Sequence, residues 1–493
     1  MKQLRLFGIA VFLILTGIAS AQTWTKVKQA GGFTSGYGAM LLLTDGTVLV
    51  QDAESPRWFK LTPDIKGSYV NGTWKQMAST SSDYGPLWFG SVVLPDGRVA
   101  VEGGEYNLQG GGVWTNKGAI YDPVKNKWTT VKPPAGWGTI GDAQAVILAD
   151  GTYMQANCCT PQAALFNPKT LTWKPTGSGK FDVNDEEGWT LLPNGKVLTV
   201  DAYVFQSGTS GTNSEIYDPK TGSWKSAGST IKQLWDPCPD ENGSPSHEVG
   251  PAILRPDGTV FATGARGCGA GHTAIYDSAT AKWKAGPDFP KVNGQTVSIT
   301  DGPAALEING NVIMMTSPGL FQKPATFFEW NGTKLTKIAP PPGATGDTSF
   351  YGKFLELPTG QILFNDFNAV QVFTPKGTYQ KAWAPTVTSV PKTLIRGKSY
   401  VAKGTQFNGL SQGAAYGDDE QMASNYPLVR ITNKATKHVF YARTHDHSSM
   451  AVATGKTPVS THFDVPKTME TGASTLVVIA NGIPSAAVSV TVN

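Results

Sequence analysis

The stretch Trp88–Gly104, WFGSVVLPDGRVAVEGG, sets the pattern that the rest of the chain repeats. Its first apolar run, Phe89–Leu94, ends at the turn Pro95–Gly97, and a second apolar run follows. Two apolar runs joined by Asp-Gly predict a β-hairpin, because glycine accepts the positive φ that a tight hairpin turn requires. Two further strands are expected at Ala119–Pro123 and around Trp128. Together these segments predict one four-stranded unit.

The hairpin turn recurs at intervals of 44 to 63 residues. Its seven copies are Asp45-Gly46, Asp96-Gly97, Asp150-Gly151, Asn194-Gly195, Asp257-Gly258, Asn309-Gly310 and Thr359-Gly360. A unit of about 50 residues is typical of kelch repeats. One such sheet cannot bury both of its faces, so the units are expected to stack radially, with their outer Tyr and Trp residues packing neighbouring blades together. The sequence predicts an all-β fold, a seven-bladed kelch-type β-propeller, over residues 22–383.

The first 21 residues have the pattern of a secretory signal peptide. Lys2 and Arg5 precede the apolar run Leu6–Ile18, which ends in the small residues Ala19–Ala21. The run is too short to span a bilayer. We therefore expect no membrane span, and a mature chain that begins near Gln22 and is secreted or periplasmic.

The charge of the chain is small for its length. The formal net charge is +4 over 493 residues, and removal of Lys2 and Arg5 leaves +2. So small a charge predicts no nucleic-acid partner, because such partners are attracted by strongly basic surfaces. The 56 Gly, 33 Pro and 14 Trp are typical of a compact, turn-rich β protein. We expect a monomer.

Two segments are candidates for the strand that closes the ring. Thr23–Lys26 resembles the fourth strand of the other units, and Tyr379–Trp383 is the alternative. Residues 384–493 then change pattern, with alternating strands such as Thr475–Ala480 and no helical periodicity. This segment predicts a second domain, a β-sandwich.

The chain has four cysteines, and an even number in an exported protein predicts disulfides. Cys238 and Cys268 flank the start of the fifth blade, and their pairing would close it. The adjacent Cys158 and Cys159 are predicted to form a vicinal disulfide. Crossed pairing stays open as the alternative.

The C-terminal segment resembles the galactose oxidase and glyoxal oxidase family. The resemblance rests on Tyr416–Gln421, Asn425–Arg430 and Arg443–His447, together with the kelch array before them. It implies that the C-terminal domain is of the early-set, immunoglobulin-like type. It also implies a copper-radical site made of a Tyr crosslinked to a Cys, a Tyr-His pair and a C-terminal His. The family's chemistry is oxidation of an alcohol or aldehyde with reduction of oxygen to peroxide.

In that family the propeller ligands lie about eight residues before each hairpin turn. The residues at this position are, in order, Tyr37, Trp88, Asp142, Glu186, Val249, Asp301 and Tyr351. Tyr37 and Trp88 stand where the crosslinked Cys and Tyr would be, and Phe350-Tyr351 or, in the alternative register, Tyr351-Gly352 stands at the Tyr-His pair. Candidates for the C-terminal histidine remain at His445 and His447, with His438 the alternative. Copper(II) requires several nitrogen or phenolate donors, so we do not expect copper.

The seven starting positions instead predict an acidic and aromatic channel mouth. The expected ligand-binding residues are Tyr37, Trp88, Asp142, Glu186, His247, Glu248, Asp301, Tyr351 and His447. Gathered carboxylates repel one another and recruit a cation or retain protons. The metal candidates are Asp142, Glu186, His247, Glu248 and Asp301, a set that favours calcium, magnesium or manganese. Paired acids acting on a glycosidic bond, or acids that only accept backbone hydrogen bonds, are the alternatives.

The function predicted from these features is binding of an extracellular carbohydrate or similar polar ligand at the mouth, with or without a reaction on it. A copper-radical oxidase that produces hydrogen peroxide is one alternative. A surface scaffold without a small ligand is the other.

Overall fold

A computed structural model describes residues 22–29, 31–203, 211–239, 243–420 and 422–493. The predicted signal peptide, residues 1–21, lies outside the described residues. The described chain forms six four-stranded antiparallel sheets, a seventh sheet of four strands with a short fifth strand on its inner edge, one nine-stranded sheet and one two-stranded sheet. No helix among these residues is long and apolar enough to cross a membrane.

The seven small sheets are the blades of the predicted propeller, which is confirmed. Strand bounds are given from the channel outward. Blade 1 comprises Tyr37–Leu42, Val48–Asp52, Trp58–Thr62 and Thr73–Gln76, and blade 2 comprises Gly90–Val93, Val99–Glu102, Gly118–Asp122 and Lys127–Val131. Blade 3 comprises Ala145–Ile147, Tyr153–Ala156, Ala163–Asn167 and Thr172–Thr176. Blade 4 comprises Thr190–Leu191, Val197–Val200, Ser214–Asp218 and Ser223–Ser226. Blade 5 comprises Ala252–Leu254, Thr259–Thr263, Thr273–Asp277 and Lys282–Ala285, blade 6 Ala304–Leu306, Val312–Thr316, Thr326–Trp330 and Leu335–Ile338, and blade 7 Lys353–Glu356, Ile362–Asn365, Val370–Thr374 and Thr23–Lys26. A short pair, Pro86–Leu87 with Tyr106–Asn107, lies beside blade 2.

The N-terminal strand closes the ring. Thr23–Lys26 pairs antiparallel with Val370–Thr374 as the outer strand of blade 7, with Trp24 opposite Phe373. The innermost strand of blade 1 contacts those of both blade 7 and blade 2. The alternative segment instead contains a 3-10 turn, Lys381–Trp383, and is not a blade strand. The first and last parts of the propeller sequence therefore share one sheet, which ties the ring shut.

The outer tryptophans join each blade to the one before it. In blade 2, Trp128 packs against Tyr121 with ring centroids 5.0 Å apart. Its indole N–H donates to the carbonyl of Ala78, just after the outer strand of blade 1, at 2.9 Å. Trp173 of blade 3 donates in the same way to Lys132 at 2.9 Å. These Tyr and Trp residues are thus packing groups, and the indole N–H of Trp128 and of Trp173 finds a backbone partner in the preceding blade, whereas that of Trp224 in blade 4 is buried without one.

The C-terminal residues form a curled sheet that is consistent with the predicted β-sandwich. Its strands are Thr386–Ser389, Thr393–Leu394, Ser399–Thr405, Leu428–Asn433, Val439–His445, Pro458–Asp464, Gly472–Ala480, Ile483–Pro484 and Val488–Val492. A core that includes Phe407, Ile431 and Phe463, each fully buried, fills its inside. Assignment of this sheet to the immunoglobulin-like type stays a prediction.

The C-terminal sheet packs on the end of the propeller that carries the hairpin turns. Thr444 N–H donates to Thr44 O at 3.1 Å, and Met450 N–H donates to Ala149 O at 3.0 Å. Tyr441 lies directly over the turn glycine Gly46, where a Cβ would come within 2.5 Å of its ring. Glycine at these turns therefore provides both the positive φ and the space for docking.

Candidate functional site

The innermost strands begin at the opposite end of the propeller, and the residues before them form the channel mouth. The equivalent residues Trp88, Glu186 and Asp301 each have a left-handed backbone, with φ of 46°, 55° and 52°. This conformation costs a non-glycine residue on the order of 1–2 kcal/mol and tends to be kept at functional sites. The left-handed residue before each of these innermost strands thus lies at the mouth, and its side chain is partly exposed there.

A segment from the C-terminal sheet follows the channel to this mouth. Ala414–Ala415 pairs antiparallel with Ala304–Leu306 as a fifth strand on the inner edge of blade 6. The next residue, Tyr416, is fully buried. Its hydroxyl lies 3.1 Å from Asp301 Oδ2 and 2.8 Å from Phe350 O, and accepts the indole N–H of Trp88 at 3.1 Å. One tyrosine thus links the C-terminal segment to three parts of the mouth.

Three carboxylates converge beside Tyr416. Asp142 of blade 3, Glu186 of blade 4 and Asp418 of the C-terminal segment each present an oxygen, and these atoms all lie within 4.8 Å of one another. We call these residues the mouth cluster. Asp142 Oδ1 is buried and accepts no hydrogen bond. Asp142 and Glu186 were predicted from the sequence, and Asp418 was not. The signal that could have indicated Asp418 is the run of three acidic residues at 418–420 in a chain with few charged residues.

Burial and mutual repulsion raise the pKa values of the mouth carboxyls. Burial is the larger cause for both Asp142 and Glu186, whose pKa values lie well above the usual range, and the other charges acting to raise them are carboxylates. Burial first, and neighbouring acids second, raise the pKa of Glu105 to about 7. Burial likewise raises the pKa of Asp418 to about 7. The carboxyls of the mouth therefore keep their protons to a higher pH than free acids do.

The other predicted acids, Glu248 and Asp301, border the mouth cluster. Burial and the charges of Asp301 and Asp418 raise the pKa of Glu248 well above its usual range. Glu248 Oε2 is buried without a hydrogen-bond partner. The predicted ring of acids is thus brought together, with Glu105 and Asp185 added to it.

Aromatic rings surround the acids on the side of blades 7 and 2. Trp88 contacts Tyr106 and Phe350, with ring centroids 5.4 Å and 6.0 Å apart. Phe350 in turn contacts Tyr351 at 4.6 Å and Phe321 at 5.7 Å. Phe321 has 58% of its surface exposed, which is unusual for phenylalanine. These rings form an apolar rim beside the carboxylates.

Two of the predicted residues, Tyr37 and His247, are packed against other rings. Tyr37 is buried against Phe33, with centroids 4.4 Å apart. His247 is stacked between Tyr203, at 3.9 Å, and Trp235, at 5.1 Å. Its Nδ1 lies 3.0 Å from Ala202 O, so this nitrogen is engaged with the backbone.

The remaining predicted residue, His447, lies at the far end of the propeller. The backbone N–H of His447 donates to Pro95 O, in the hairpin turn of blade 2, at 3.2 Å. Its ring is buried, and burial lowers its pKa to about 3. His445 pairs with Asp446 and Asp464 on the same sheet. The histidines of this run are thus separated from the mouth, because the C-terminal sheet docks on the turn end.

The cysteines are in two different states. Cys238 and Cys268 form the predicted disulfide, with Cα atoms 5.6 Å apart. Cys158 and Cys159 are free thiols, so the predicted vicinal disulfide is wrong for this structure. Cys158 Sγ instead lies 3.7 Å from Asp185 Oδ1, and its partner is therefore a carboxylate of the neighbouring blade.

A second acidic cluster lies in the interior next to the mouth. Lys180 Nζ lies 2.9 Å from Glu187 Oε1, 2.6 Å from Glu215 Oε2 and 3.9 Å from Asp201 Oδ1, and its side chain is fully buried. Asp182 joins them, with oxygens of Asp182, Glu187 and Asp201 within 4.8 Å of one another. We call these five residues the Lys180 cluster. It provides its own cation.

The residues at the family's copper positions do not fit a tyrosine–cysteine copper centre. Trp88 stands where the crosslinked tyrosine is expected, and an indole N–H is a donor that cannot ligate a metal. It is already engaged with Tyr416. Tyr37, at the cysteine's position, is buried against the aromatic ring of Phe33.

Comparisons with known proteins agree with the fold. No protein-family model matches the chain. The kelch-like protein terF of Aspergillus terreus is 24% identical to this chain over 270 residues. The match covers 50% of this chain and 54% of terF, so this chain spans about half the length of that relative. A solved fungal alcohol oxidase of the AA5 family, in complex with copper, aligns with 97% of this chain and 100% of its own, with a TM-score of 0.50 and 14% identity. The virginiamycin B lyase of Staphylococcus aureus covers 72% of this chain and 100% of its own, with a TM-score of 0.48 and 7% identity.

These findings define the class of protein by its fold. The chain is a kelch-type propeller, similar in architecture to the galactose and alcohol oxidases. At 14% identity the likeness to the AA5 oxidase shows the fold alone.

Proposed function

We propose that this protein binds a hard divalent cation in the mouth cluster and, beside it, a polyhydroxylated ligand of the carbohydrate class. The observation that carries the proposal is the convergence of three carboxylate oxygens, from Asp142, Glu186 and Asp418, within 4.8 Å. Two oxygens that share a Ca²⁺ ion at 2.3–2.6 Å lie at most about 5 Å apart. The spacing therefore fits one shared cation.

The same spacing differs from that of the carboxyl pair of an inverting glycosidase. Such pairs stand about 6.5–9.5 Å apart, which leaves room for a water molecule. The nearest oxygens of the mouth cluster lie within 4.8 Å of one another. A cation among them also neutralises repulsion that burial would otherwise make costly.

The aromatic rim supports a carbohydrate as the ligand. Trp88, Tyr106 and Phe350 are partly exposed beside the acids, and Phe321 extends this rim into solvent. Sugar rings present apolar faces that can stack on aromatic side chains, while their hydroxyl oxygens suit a hard cation. Concave sites of this composition, apolar with a few convergent polar groups, are typical of small-ligand binding.

Export is part of the proposal. The Cys238–Cys268 disulfide supports it, because such bonds persist in oxidising compartments. The predicted signal sequence at residues 1–21 is in keeping with this location.

Oxidation of an alcohol with copper is the alternative that the AA5 neighbour suggests. The donors at this mouth are mainly carboxylates. Copper(II) instead prefers imidazole nitrogens and phenolate oxygens in tetragonal geometry. We therefore place cation-assisted binding ahead of copper chemistry for this chain.

Calorimetric titration of the chain from Gln22 onward with CaCl₂, MgCl₂ and MnCl₂ tests the proposal. We expect one cation per chain, with affinity reduced at least tenfold in Asp142→Asn. The matched control is Asp150→Asn, an exposed acid at the turn end of the same blade. A panel of neutral oligosaccharides is then titrated with and without the cation, and Trp88→Leu is expected to weaken saccharide binding while sparing the cation.

Lack of cation uptake by the wild-type protein at pH 8 would contradict the proposal. Equal loss in Asp142→Asn and Asp150→Asn would place the cation elsewhere. Copper-dependent peroxide release with a primary alcohol would favour the oxidase, and protein that takes up neither ions nor sugars would favour a scaffold.

A further inference from the structure

We infer that Cys158, Cys159 and Asp185 form a second metal site, one for a borderline-soft divalent ion of the zinc type. Ligand atoms of these three residues lie within 4.8 Å of one another. The site takes its three defining ligands from outside the mouth cluster, borders that cluster at Asp142, and does not rest on the proposed function.

The backbone fixes the two thiols against the neighbouring blade. Cys158 forms a parallel bridge with Asn184, and Cys159 N–H donates to Asn184 O at 2.9 Å. This bridge places the cysteine pair directly beside Asp185, the next residue in the chain. Cys159 has a φ of 64°, a left-handed conformation that is uncommon for cysteine. Such a conformation is retained where the surroundings determine it.

The distances agree with tetrahedral coordination. Zinc–sulfur and zinc–oxygen bonds of about 2.3 Å and 2.1 Å, at a tetrahedral angle, put sulfur and oxygen about 3.6 Å apart. Cys158 Sγ and Asp185 Oδ1 are 3.7 Å apart. Asp142 also contacts the Cys158 thiol, and its Oδ1 is buried without a hydrogen-bond donor. That oxygen is a ready fourth ligand, since a metal would replace the missing donor.

The choice of metal follows from the donors. Two sulfurs with one or two carboxylates form a set that zinc accepts and that calcium and magnesium do not prefer. Cys158 is buried, Cys159 partly exposed and Asp185 largely buried, so an ion can enter on the side of Cys159. Each thiol that binds releases its proton to solvent, so affinity rises with pH.

The bound ion would also account for two adjacent thiols in an exported chain. In an oxidising compartment two neighbouring thiols form a disulfide when another disulfide accepts their two electrons and two protons and is itself reduced to two thiols. Coordination holds both sulfurs on the metal and competes with that reaction. The mouth would then carry a hard cation site and a thiolate site side by side, separated by the side chain of Asp142.

The test uses Co²⁺ as a spectroscopic probe and Zn²⁺ as competitor, with the chain from Gln22 purified under mild reductant. We expect a thiolate-to-cobalt charge-transfer band that saturates at one equivalent and disappears when Zn²⁺ is added. Cys159→Ser should abolish the band and weaken zinc binding at least tenfold. Asp185→Asn, which keeps the shape of the side chain, should weaken zinc binding while two thiols stay titratable.

Asp418→Asn is the matched control, because it removes a mouth-cluster carboxylate and should leave the cobalt band intact. Thermal melts show whether each variant is folded. If Cys159→Ser does not fold, the loss of zinc affinity in Asp185→Asn tests the site. No charge-transfer band in protein with two titratable thiols would overturn the inference. So would a Cys158–Cys159 disulfide in the non-reducing peptide map of zinc-supplemented protein, or a band that survives both variants.

Discussion

The mouth cluster and the Lys180 cluster contain the adjacent residues Glu186 and Glu187, yet the charge of their carboxylates is compensated differently. Both bring three or more carboxylates within 4.8 Å. In the Lys180 cluster a buried ammonium lies among the acids. In the mouth cluster the charges that act on Asp142 are those of other acids. The Lys180 cluster therefore contains its own cation, whereas the acids of the mouth cluster are left to be neutralised by protons or, as we propose, by a cation from solution.

Lys180→Met should produce the largest effect on stability. Removal of the ammonium leaves buried carboxylates uncompensated, and breaking such a pair costs about 3–5 kcal/mol. Urea unfolding measures the loss. The control is Lys174→Met, an exposed lysine of the same blade boundary, for which a change within about 0.5 kcal/mol is expected. A loss no greater than that of the control would show that the Lys180 cluster is not held by its lysine.

The adjacent pair Glu186→Gln and Glu187→Gln tests the contrast directly. Glu187 bonds to Lys180 at 2.9 Å and accepts Thr199 Oγ1 at 3.0 Å, so its replacement should cost about 1.5–3 kcal/mol. Glu186 is repelled by Glu248 and Asp418. Its replacement should therefore leave stability in cation-free buffer unchanged or slightly higher. Equal losses in the two variants, measured by urea unfolding, would erase the distinction between the clusters.

The pH dependence of stability should have the sign of acids with raised pKa values. The pKa values of Glu105 and Asp418, each about 7, and of Asp201, about 8, exceed the ordinary values of 4.5 and 3.8. The folded state therefore holds more protons than the unfolded state from about pH 4 to 8, and the free energy of unfolding falls as pH rises through this window.

Melting temperatures at pH 5, 6, 7 and 8 measure this decline. CaCl₂ should reverse the part that belongs to the mouth, because the cation takes the place of the lost protons. Asp418→Asn should flatten the curve around pH 7, and Asp201→Asn should flatten it nearer pH 8. Stability that rises from pH 5 to 8 without added cation would contradict the assignment.

Tyr416→Phe should give the smallest effect. The variant loses only the hydroxyl shared by Trp88, Asp301 and Phe350, and a net loss of about 0.5–1.5 kcal/mol is expected. Calorimetric cation titration should show weaker binding as well, because Tyr416 positions the segment that carries Asp418. The contribution of the Lys180 cluster to the pH dependence of stability near pH 8 should be unchanged. A change in that contribution would mean that the two clusters are coupled.

Much of the fold could be predicted because its signals are local. Each Asp-Gly or Asn-Gly turn lies between apolar runs within one hairpin, so a few neighbouring residues specify it. Thr23–Lys26 was one of two candidates for the outer strand of blade 7, because its Trp repeats the outer-strand pattern, and the structure selects it over Tyr379–Trp383. The same counting brought Asp142, Glu186, Glu248 and Asp301 to one end of the channel, since equivalent residues of a propeller lie at similar heights.

The sequence by itself thus determined the repeat, the number of blades and most of the acids at the mouth, because a strand period and a turn residue act over a few positions. Only the tertiary structure decided that Asp418 completes the mouth cluster, because it is 276 residues from Asp142 in the chain and reaches it along the channel. Only the tertiary structure separated His447 from the mouth, since that depends on which end of the propeller the C-terminal sheet covers. The contact of Cys158 with Asp185 of the next blade likewise depends on the tertiary structure, because no local pattern connects these residues.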